Sequence, residues 1–437
     1  MKPAIVLSTH TMGLGVIRSL GMMGVPIIAM YYDSRDMGFC SRYVRERIPV
    51  PHPEQQEDQF LDLLIALGHR LGDSILLPVS DAALSTLSRH KIILQEHYTV
   101  ACTDWGITER FIDKKLTYDI AEKAGVSVPH TITPHSIEDI EAYAHLLQYP
   151  CLVKPSQSHR YVALFKKKMV QVDTLDQLLT AYRQAEAAGI EVMIQELIPG
   201  PDNHVVNYNA YFADDIALVE FTSEHTRNAP PIFGSPRVAQ SKPIPEIITP
   251  GRETLRALGF YGYACTEFKR DARDGTYKLM EVNGRHNLST LLAVSCGINF
   301  PWLHYRHLMY GEVPSATTYQ AGIYWIDLER DIAHSFNHYT MEKYAFREYT
   351  FPYLSPHVFA IFDWRDPQPF LKRCKDLVQS VWQKFVHSQA GVPAMLYLRR
   401  PRHRKSPTPD SSSNRLGQST VMSHSLIEYE QHSDQKR

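Results

Sequence analysis

The chain has 437 residues, of which 44% are hydrophobic and 21% charged, and its net charge at pH 7 is −1. The length is too great for a single hydrophobic core and fits roughly two to three domains. The composition predicts a mostly globular protein and argues against a nucleic-acid-binding protein, which would usually carry a basic excess.

The cysteines and the hydropathy of the sequence indicate in which cellular compartment the protein is expected. The six cysteines form no CxxC pair and have mostly apolar neighbours. We therefore expect buried, reduced thiols and a cytoplasmic protein. No run of about 18 apolar residues that could span a membrane occurs, and the apolar run at the N-terminus is too short for a signal peptide.

Residues 1–105 show strands that alternate with helices. Strands are predicted for three apolar runs, at residues 4–8, 25–32 and 74–81. Such alternation predicts a Rossmann-like α/β domain, in which helices cover both faces of a parallel sheet. Ligands of these sheets bind beyond the carboxyl ends of the strands, which places Ser8–Gly15 and Ser80–Asp81 beside a cleft. Asp81 is therefore a candidate for contact with a substrate, with a helix N-cap as the alternative.

Residues 106–312 mix helices and strands in a less regular order, as in an α+β domain. A helix is predicted over residues 106–126, with Thr108 as its cap. Further helices are predicted at 174–189, 249–260 and 288–296, and strands at 149–156, 191–200 and 204–222, the last as a hairpin.

Residues 313–400 carry fewer motifs and predict a helical or mixed region with an amphipathic helix over 370–386. Beyond it the composition shifts to Ser, Pro, Asn, Gln and charged residues, so 401–437 is predicted to be a disordered polar tail. Because the basic cluster RRPRHRK at 399–405 follows the helix, a peripheral contact of 370–405 with an anionic membrane is one interpretation. We favour a helix that docks on the globule and a solvated tail.

The stretch LMEVNGR at residues 279–285 alternates charged or amide side chains with apolar or small ones. Alternate side chains of a strand share one face, so Glu281, Asn283 and Arg285 would lie in a row. Another acidic residue, Glu267, lies in the preceding strand-like run, across the polar turn DARDG. The sequence therefore predicts a hairpin with acidic residues in both strands.

The length of the loop decides whether the two acids face each other. A two-residue loop, Asp274–Gly275, would pair residue 267 with 282 and send the acids to opposite faces. A three-residue loop, Arg273–Gly275, pairs Glu267 with Glu281 and places glycine third, where a left-handed residue is needed. We predict the three-residue loop, with the two Cβ atoms roughly 5 Å apart.

Two facing carboxylates repel each other unless one of them binds a proton or cations lie between them. Carboxylate and amide oxygens without His or Cys favour Mg²⁺ or Mn²⁺ over zinc, and a guanidinium is a good fork for phosphate. Together these groups indicate a site for the end of a nucleoside triphosphate. The alternative is a solvated polar face on an edge hairpin.

Four motifs resemble, in their order along the chain, the ATP-grasp superfamily and in particular its carboxylate–amine ligase-like members. They are FIDKKLTYDIAEKAGVSVP, YPCLVKP, IQELIPGPD and TEF…MEVNGR, within residues 106–312. The resemblance implies an ATP-grasp domain of two α+β subdomains with the nucleotide between them. It also implies that residues 1–105 are the α/β domain that precedes the ATP-grasp domain.

The resemblance implies a role for each matching residue. Lys114 and Lys154 would contact the phosphates of ATP, and Asp202 would accept hydrogen bonds from the ribose. Arg285, the catalytic residue, would hold the γ-phosphate and then the acyl phosphate. The remaining positions are the hinge against adenine, Gln195, Glu196, Leu197 and Ile198, and the Mg²⁺ (or Mn²⁺) ligands Glu267, Glu281 and Asn283.

Two features depart from the family pattern. The second lysine is usually followed by a glycine-rich loop whose N–H groups cradle the phosphates, but residues 156–168 contain no glycine. The lysines at 166–168 are the substitutes that the sequence offers, and among them we choose Lys168. Gly284 stands where proline is often found, which weakens the strand but leaves the face of its neighbours unchanged.

The implied reaction is an ATP-dependent ligation of a small carboxylate and a small amine. The carboxylate attacks the γ-phosphate, and the amine then attacks the acyl phosphate, giving an amide and phosphate. Two alternatives stay open, namely a kinase with the same ATP site and a nucleotide-binding regulatory protein without turnover. The Pro- and Gly-rich segment 223–237 predicts a loop whose Arg227 and Arg237 bind a substrate carboxylate, with an ordinary surface loop as the alternative. A homodimer is compatible with this interpretation.

Overall fold

The computed structural model describes residues 1–143, 145, 147–155, 164–165, 169–231, 234–337 and 344–389, with side chains described as far as 383. The chain divides into two compact units, residues 1–381 and 382–437. All the described sheets lie in the first unit. The lysines at 166–168, including Lys168, and the predicted tail 401–437 lie outside the described residues.

The N-terminal part contains a five-stranded parallel sheet of order β3-β2-β1-β4-β5, which confirms the predicted α/β class. The central strands form because their apolar side chains are buried on both faces, as in AIVL of β1. Two strands, β3 and β5, were not predicted from the sequence. The elements are β1 (Ala4–Leu7), α1 (Thr11–Gly21), β2 (Ile27–Tyr31), β3 (Val44–Pro49), α2 (Glu57–Leu71), β4 (Ile75–Pro78), α3 (Asp81–Arg89), α4 (Lys91–Leu94) and β5 (Thr99–Val100).

The predicted helix over 106–126 is two helices, α5 (Trp105–Ile112) and α6 (Lys114–Lys123). Asp113 separates them because its carboxylate accepts hydrogen bonds from the backbone N–H groups of Lys115 and Leu116, an N-cap that starts a new helix. The predicted cap, Thr108, is wrong, since it is buried inside α5. The break places Lys114 at the first position of α6.

A four-stranded antiparallel sheet of order β6-β9-β7-β8 follows. Its elements are β6 (Thr131–Ile132), α7 (Ile137–Tyr143), β7 (Cys151–Pro155), β8 (Val170–Val172), α8 (Leu175–Ala187) and β9 (Val192–Glu196). The apolar faces of α7 and α8 pack on this sheet around Ile140, Val153 and Leu178. The sheet carries Lys154 on β7 and the hinge residues at the end of β9.

A seven-stranded sheet of order β14-β13-β10-β11-β12-β15-β16 carries the acidic hairpin, which β13 and β14 form, at one edge. The strands are β10 (Val205–Ala213), β11 (Ile216–Ala229), β12 (Ser235–Ser241), β13 (Gly262–Arg270), β14 (Tyr277–Asn283), β15 (Tyr324–Ile326) and β16 (His357–Phe359). The helices are α9 (Ile248–Leu258), α10 (Thr290–Ser295), α11 (Phe300–Tyr310), α12 (Leu328–Asn337), α13 (Phe346–Leu354) and α14 (Gln368–Gln389). The domain limits near 105 and 312 stay predictions, although two strands beyond 312 extend this same sheet.

The hairpin β13–β14 pairs Glu267 with Glu281, as predicted, but by a different route. The predicted three-residue loop is wrong, because the pair Arg270–Tyr277 and the hydrogen bond from the Asp271 N–H to the Thr276 carbonyl leave four residues in the loop. A β-bulge at Met280 then adds one residue to β14 and restores the pairing. The Tyr118 hydroxyl of α6 donates to the Met280 carbonyl at 2.8 Å, so a tertiary contact holds the bulge.

The cysteines agree in part with the predicted buried, reduced thiols. All six cysteines are free, and four of them are buried, whereas Cys40 and Cys374 are half-buried. No described helix has both the length and the apolar character that a membrane crossing requires.

Candidate active site

The two acidic residues lie side by side on the same face of adjacent antiparallel strands. The Asn283 amide donates to Glu281 Oε1 at 3.1 Å, and Lys114 Nζ lies 3.2 Å from Glu281 Oε2. An open cavity of about 130 Å³ is lined by Lys114, Glu281, Asn283 and also Asp81. The structure thus brings together four of the residues singled out from the sequence.

The carboxylate pair is electrostatically asymmetric. Burial, and then the charge of Glu281, raise the pKa of Glu267 to about 8. The Lys114 ammonium lowers the pKa of Glu281 to about 2 against the opposing effect of burial. Without other cations, the pair therefore holds one proton near neutral pH, as expected for two carboxylates that share one site.

The donor set fits a hard divalent cation. The described residues contain no group of three or more His, Cys, Asp and Glu side chains that could hold a metal ion. Two facing carboxylates and one amide oxygen suit Mg²⁺, which keeps several waters and shares its coordination with phosphates. A cation there would also oppose the burial and the repulsion that together raise the pKa of Glu267.

Lys154 reaches the site from β7. Its Nζ donates to the Gln195 side-chain oxygen, and the Gln195 amide donates to Thr131 Oγ1 at 2.9 Å. Burial, and then the charge of Lys114, lower the pKa of Lys154 to about 7. Glu281, Glu267 and Lys269 also act on this ammonium group, the two carboxylates raising its pKa and Lys269 lowering it. A bound anion would therefore raise the pKa of Lys154 and favour its charged form.

A nucleotide phosphate beside Lys154 is expected to raise its pKa, so binding of ADP should take up protons above pH 7. Since the unbound lysine loses its charge as the pH rises through about 7, the affinity should fall by up to tenfold per pH unit above that value. Calorimetry in buffers of different ionisation enthalpy measures the uptake. Lys154→Met should abolish it, and equal uptake in both proteins would contradict the assignment.

The predicted hinge residues lie at the end of β9 and directly after it, since β9 ends at Glu196. Gln195 is fully buried, Ile198 is buried, and Leu197 and Glu196 are half-buried. The Glu196 carboxylate forms ion pairs with Arg273 and Lys278. The backbone N–H of Glu196 donates to the His130 carbonyl. Their contact with adenine stays a prediction.

Asp202 begins a short 3-10 turn and is buried. Its Oδ2 accepts from the Asn228 N–H at 2.8 Å. The carboxylate is therefore already oriented by the neighbouring strand β11, and its contact with ribose stays a prediction.

Arg285 lies beyond the predicted strand, because β14 ends at Asn283 and the chain bends there. Its guanidinium forms a two-point ion pair with Asp81, with 2.6 Å from Nε to Oδ1 and 2.9 Å from Nη2 to Oδ2. The alternative role of Asp81 as an N-cap is wrong, since Ser80 Oγ caps α3. The structure therefore joins the predicted catalytic arginine to a predicted substrate residue 204 positions away.

The predicted loop around Arg227 and Arg237 is wrong. The two arginines lie on β11 and β12, where their exposed fractions are 1% and 0%. Both guanidinium groups pair with the carboxylate of Asp331, Arg227 through two contacts of 3.0 and 2.7 Å and Arg237 at 3.2 Å. The Tyr353 hydroxyl donates to the same carboxylate. These contacts explain the buried placement of the two arginines better than an exposed substrate site does.

Gly284 has a packing reason. A Cβ atom at this position would lie 2.5 Å from the Phe111 ring and 3.1 Å from Phe260. The two rings therefore fill the space that the ring of a proline would need.

Sequence reasoning missed Lys269, which lies on β13 two residues after Glu267 and is buried. Burial lowers the pKa of Lys269, and the carboxylates of Asp202, Glu267 and Asp271 oppose that shift. The spacing of two residues between Glu267 and Lys269 could have identified it, because residues two apart on a strand share a face. Tyr118, which holds the bulge, had no comparable signal in the sequence.

No family model matches the chain. A D-aspartate ligase of Enterococcus faecium is 26% identical over 238 residues, which cover 52% of this chain and 56% of that protein. The chain therefore matches less than two thirds of the length of this curated relative.

Solved structures share the fold. An L-amino acid ligase of Bacillus licheniformis aligns with a TM-score of 0.56 and 19% identity over 71% of this chain and 74% of its own. The biotin carboxylase domain of Hydrogenobacter thermophilus 2-oxoglutarate carboxylase, in complex with MgADP, ADP and bicarbonate, aligns with a TM-score of 0.58 and 17% identity over 74% and 73%. The predicted resemblance is confirmed at the level of the fold, which this chain shares with these ligase and carboxylase structures, and in sequence the chain is similar to a D-aspartate ligase.

Proposed function

We propose that this protein is an ATP-dependent ligase that joins the carboxylate of one small molecule to the amine of another through an acyl phosphate. The observation that supports it most is the pairing of Glu267 with Glu281 on adjacent strands, beside Lys114 and Lys154 from two other segments. ATP and Mg²⁺ would supply the phosphoryl group and the charge neutralisation that make a carboxylate a good acylating agent.

The side chains have separate tasks in this proposal. Glu267, Glu281 and Asn283 hold the cation, and the two lysines bind phosphate oxygens as mobile point charges. Lys114 already neutralises Glu281, so it exchanges one anion for another when phosphate and metal enter together. The hinge from Gln195 to Ile198 holds adenine, and Asp202 holds the ribose.

Arg285 supplies the fork for the transferred phosphoryl group. To do so it exchanges the Asp81 carboxylate for phosphate, which leaves Asp81 free to meet the incoming amine at the carboxyl end of the N-terminal sheet. Arg227 and Arg237 are better assigned to holding the fold, because both share Asp331 in the protein interior.

Phosphate release from ATP tests the proposal. Amino acids are the first acids and amines to supply, since one relative is a D-aspartate ligase and one structural neighbour is an L-amino acid ligase. Release that requires both partners, with a product of amide mass, is the expected result. Release with a single acceptor and a phosphorylated product would indicate a kinase, and nucleotide binding without release would indicate a regulatory protein.

We also propose that the enzyme acts in the cytoplasm, where ATP and amino acids are available. A homodimer and a peripheral membrane contact through 370–405 stay predictions. The apolar side chains Val378 and Val381 of α14 are 69% and 66% exposed, which would suit either contact. Sedimentation with and without anionic vesicles distinguishes the two.

A further inference from the structure

Lys269 occupies an unusual position on the metal strand β13. It lies two residues after Glu267 on the same face, and it is opposite Val205 of β10 and Lys278 of β14. Only 5% of its surface is exposed. Lysine is almost never buried to this degree unless a partner neutralises it.

Within the described part of the chain, the Lys269 ammonium makes neither a hydrogen bond nor an ion pair. Lys91 provides the contrast, because it is 8% exposed and its Nζ lies 2.7 Å from Asp104 Oδ1 and 2.6 Å from the Tyr261 hydroxyl. Desolvating a cation without a direct partner is costly. The structure therefore carries a largely buried ammonium group without a direct partner among the described residues, which an added anion would compensate.

The charged groups around Lys269 indicate where that anion lies. Lys269 pairs with Val205, which follows the turn that begins at Asp202, the proposed ribose end, and it lies two residues after Glu267, the proposed metal end. The carboxylates of Asp202, Glu267 and Asp271 all act electrostatically on its ammonium group. Lys154 is close enough to feel the charge of Lys269. A group that lies between the ribose contact and the metal contact faces the phosphates that link them.

We propose that Lys269 is a third phosphate-binding lysine of this site, which contacts the α- or β-phosphate of a bound nucleoside di- or triphosphate. The proposal rests on the nucleotide site of the proposed function. In this proposal a lysine side chain of the sheet supplies part of the positive potential. In other phosphate sites, the backbone N–H groups of a glycine-rich loop supply it.

Calorimetric titration with adenosine, AMP and MgADP tests the proposal on Lys269→Met, with Lys91→Met as the matched buried-lysine control. In Lys269→Met the Kd for MgADP should rise roughly tenfold or more, whereas the Kd for adenosine should change less than twofold. Because the variant removes a charge without a direct partner, its melting temperature without nucleotide should stay equal or rise. Lys91→Met should instead lower the melting temperature and leave the Kd for MgADP unchanged.

The outcomes separate this inference from the proposed function. A wild-type protein that binds no MgADP would overturn both. Wild-type binding with an unchanged Kd in Lys269→Met, or an equal loss for adenosine and MgADP, would overturn only the phosphate contact. Should Lys269→Met fail to fold, Lys269→Arg and Lys269→Gln decide, because only the arginine variant should keep the Kd for MgADP within about threefold.

Discussion

Replacing Glu281 by glutamine is expected to lower ATP-dependent turnover by on the order of 10³-fold, with a shift of the Mg²⁺ dependence to higher concentration. The substitution keeps the shape of the side chain but removes one of the two carboxyl groups that face each other across β13 and β14. It also removes the carboxylate that Lys114 contacts at 3.2 Å. Both changes weaken the attraction for a divalent cation and its phosphates.

Phosphate release measured over a Mg²⁺ titration provides the readout. Glu253→Gln is the control, because Glu253 lies on α9 and forms an ion pair with Arg256 at the surface. The control should retain wild-type turnover. Full turnover in a folded Glu281→Gln protein at ordinary Mg²⁺ would show that the facing carboxylates are not the metal site.

Replacing Asp331 by asparagine is expected to reduce the free energy of unfolding by about 3–5 kcal/mol, as is typical when one partner of a buried ion pair is removed. The Asp331 carboxylate is fully buried on α12 and neutralises Arg227 and Arg237 of two neighbouring strands. Asparagine cannot carry the charge that both guanidinium groups face. It also weakens the hydrogen bond that the Tyr353 hydroxyl donates.

Urea unfolding followed by circular dichroism measures this loss. Glu329→Gln is the matched control on the same helix, because Glu329 pairs with Arg373 in a partly exposed position and its loss should cost about 1 kcal/mol or less. If the two variants unfold at the same urea concentration, the shared carboxylate does not hold β11 and β12 to α12. A double variant that also replaces Arg227 should recover part of the loss.

The strands β1, β2 and β4 and the acidic hairpin followed from the sequence, and so did the face that Glu281 and Asn283 share. Period-2 alternation fixes which side chains share a face, so Glu281 and Asn283 were placed together, and the same rule would have found Lys269. The helix boundary at Asp113 was not predicted from the sequence. The Asp113 side chain divides a segment that apolar periodicity alone presents as one helix.

In the acidic hairpin the predicted pairing of Glu267 with Glu281 is correct, but the predicted loop length is not. The loop has one residue more than predicted, and the bulge at Met280 compensates for it. A bulge adds one residue to one strand, and here its free carbonyl is satisfied by Tyr118 of a distant helix. No property of the hairpin sequence alone specifies that partner.

The sequence by itself determined the parallel N-terminal sheet, the acidic hairpin and the two lysines that precede it, because these depend on periodicity and residue type along short segments. Only the tertiary structure decided that Arg285 meets Asp81 and that Arg227 meets Asp331, across 204 and 104 positions. The physical reason is that a charged side chain looks alike in sequence whether solvent, a ligand or a buried counter-ion neutralises it. Which of these does so depends on the packing of elements that are far apart along the chain.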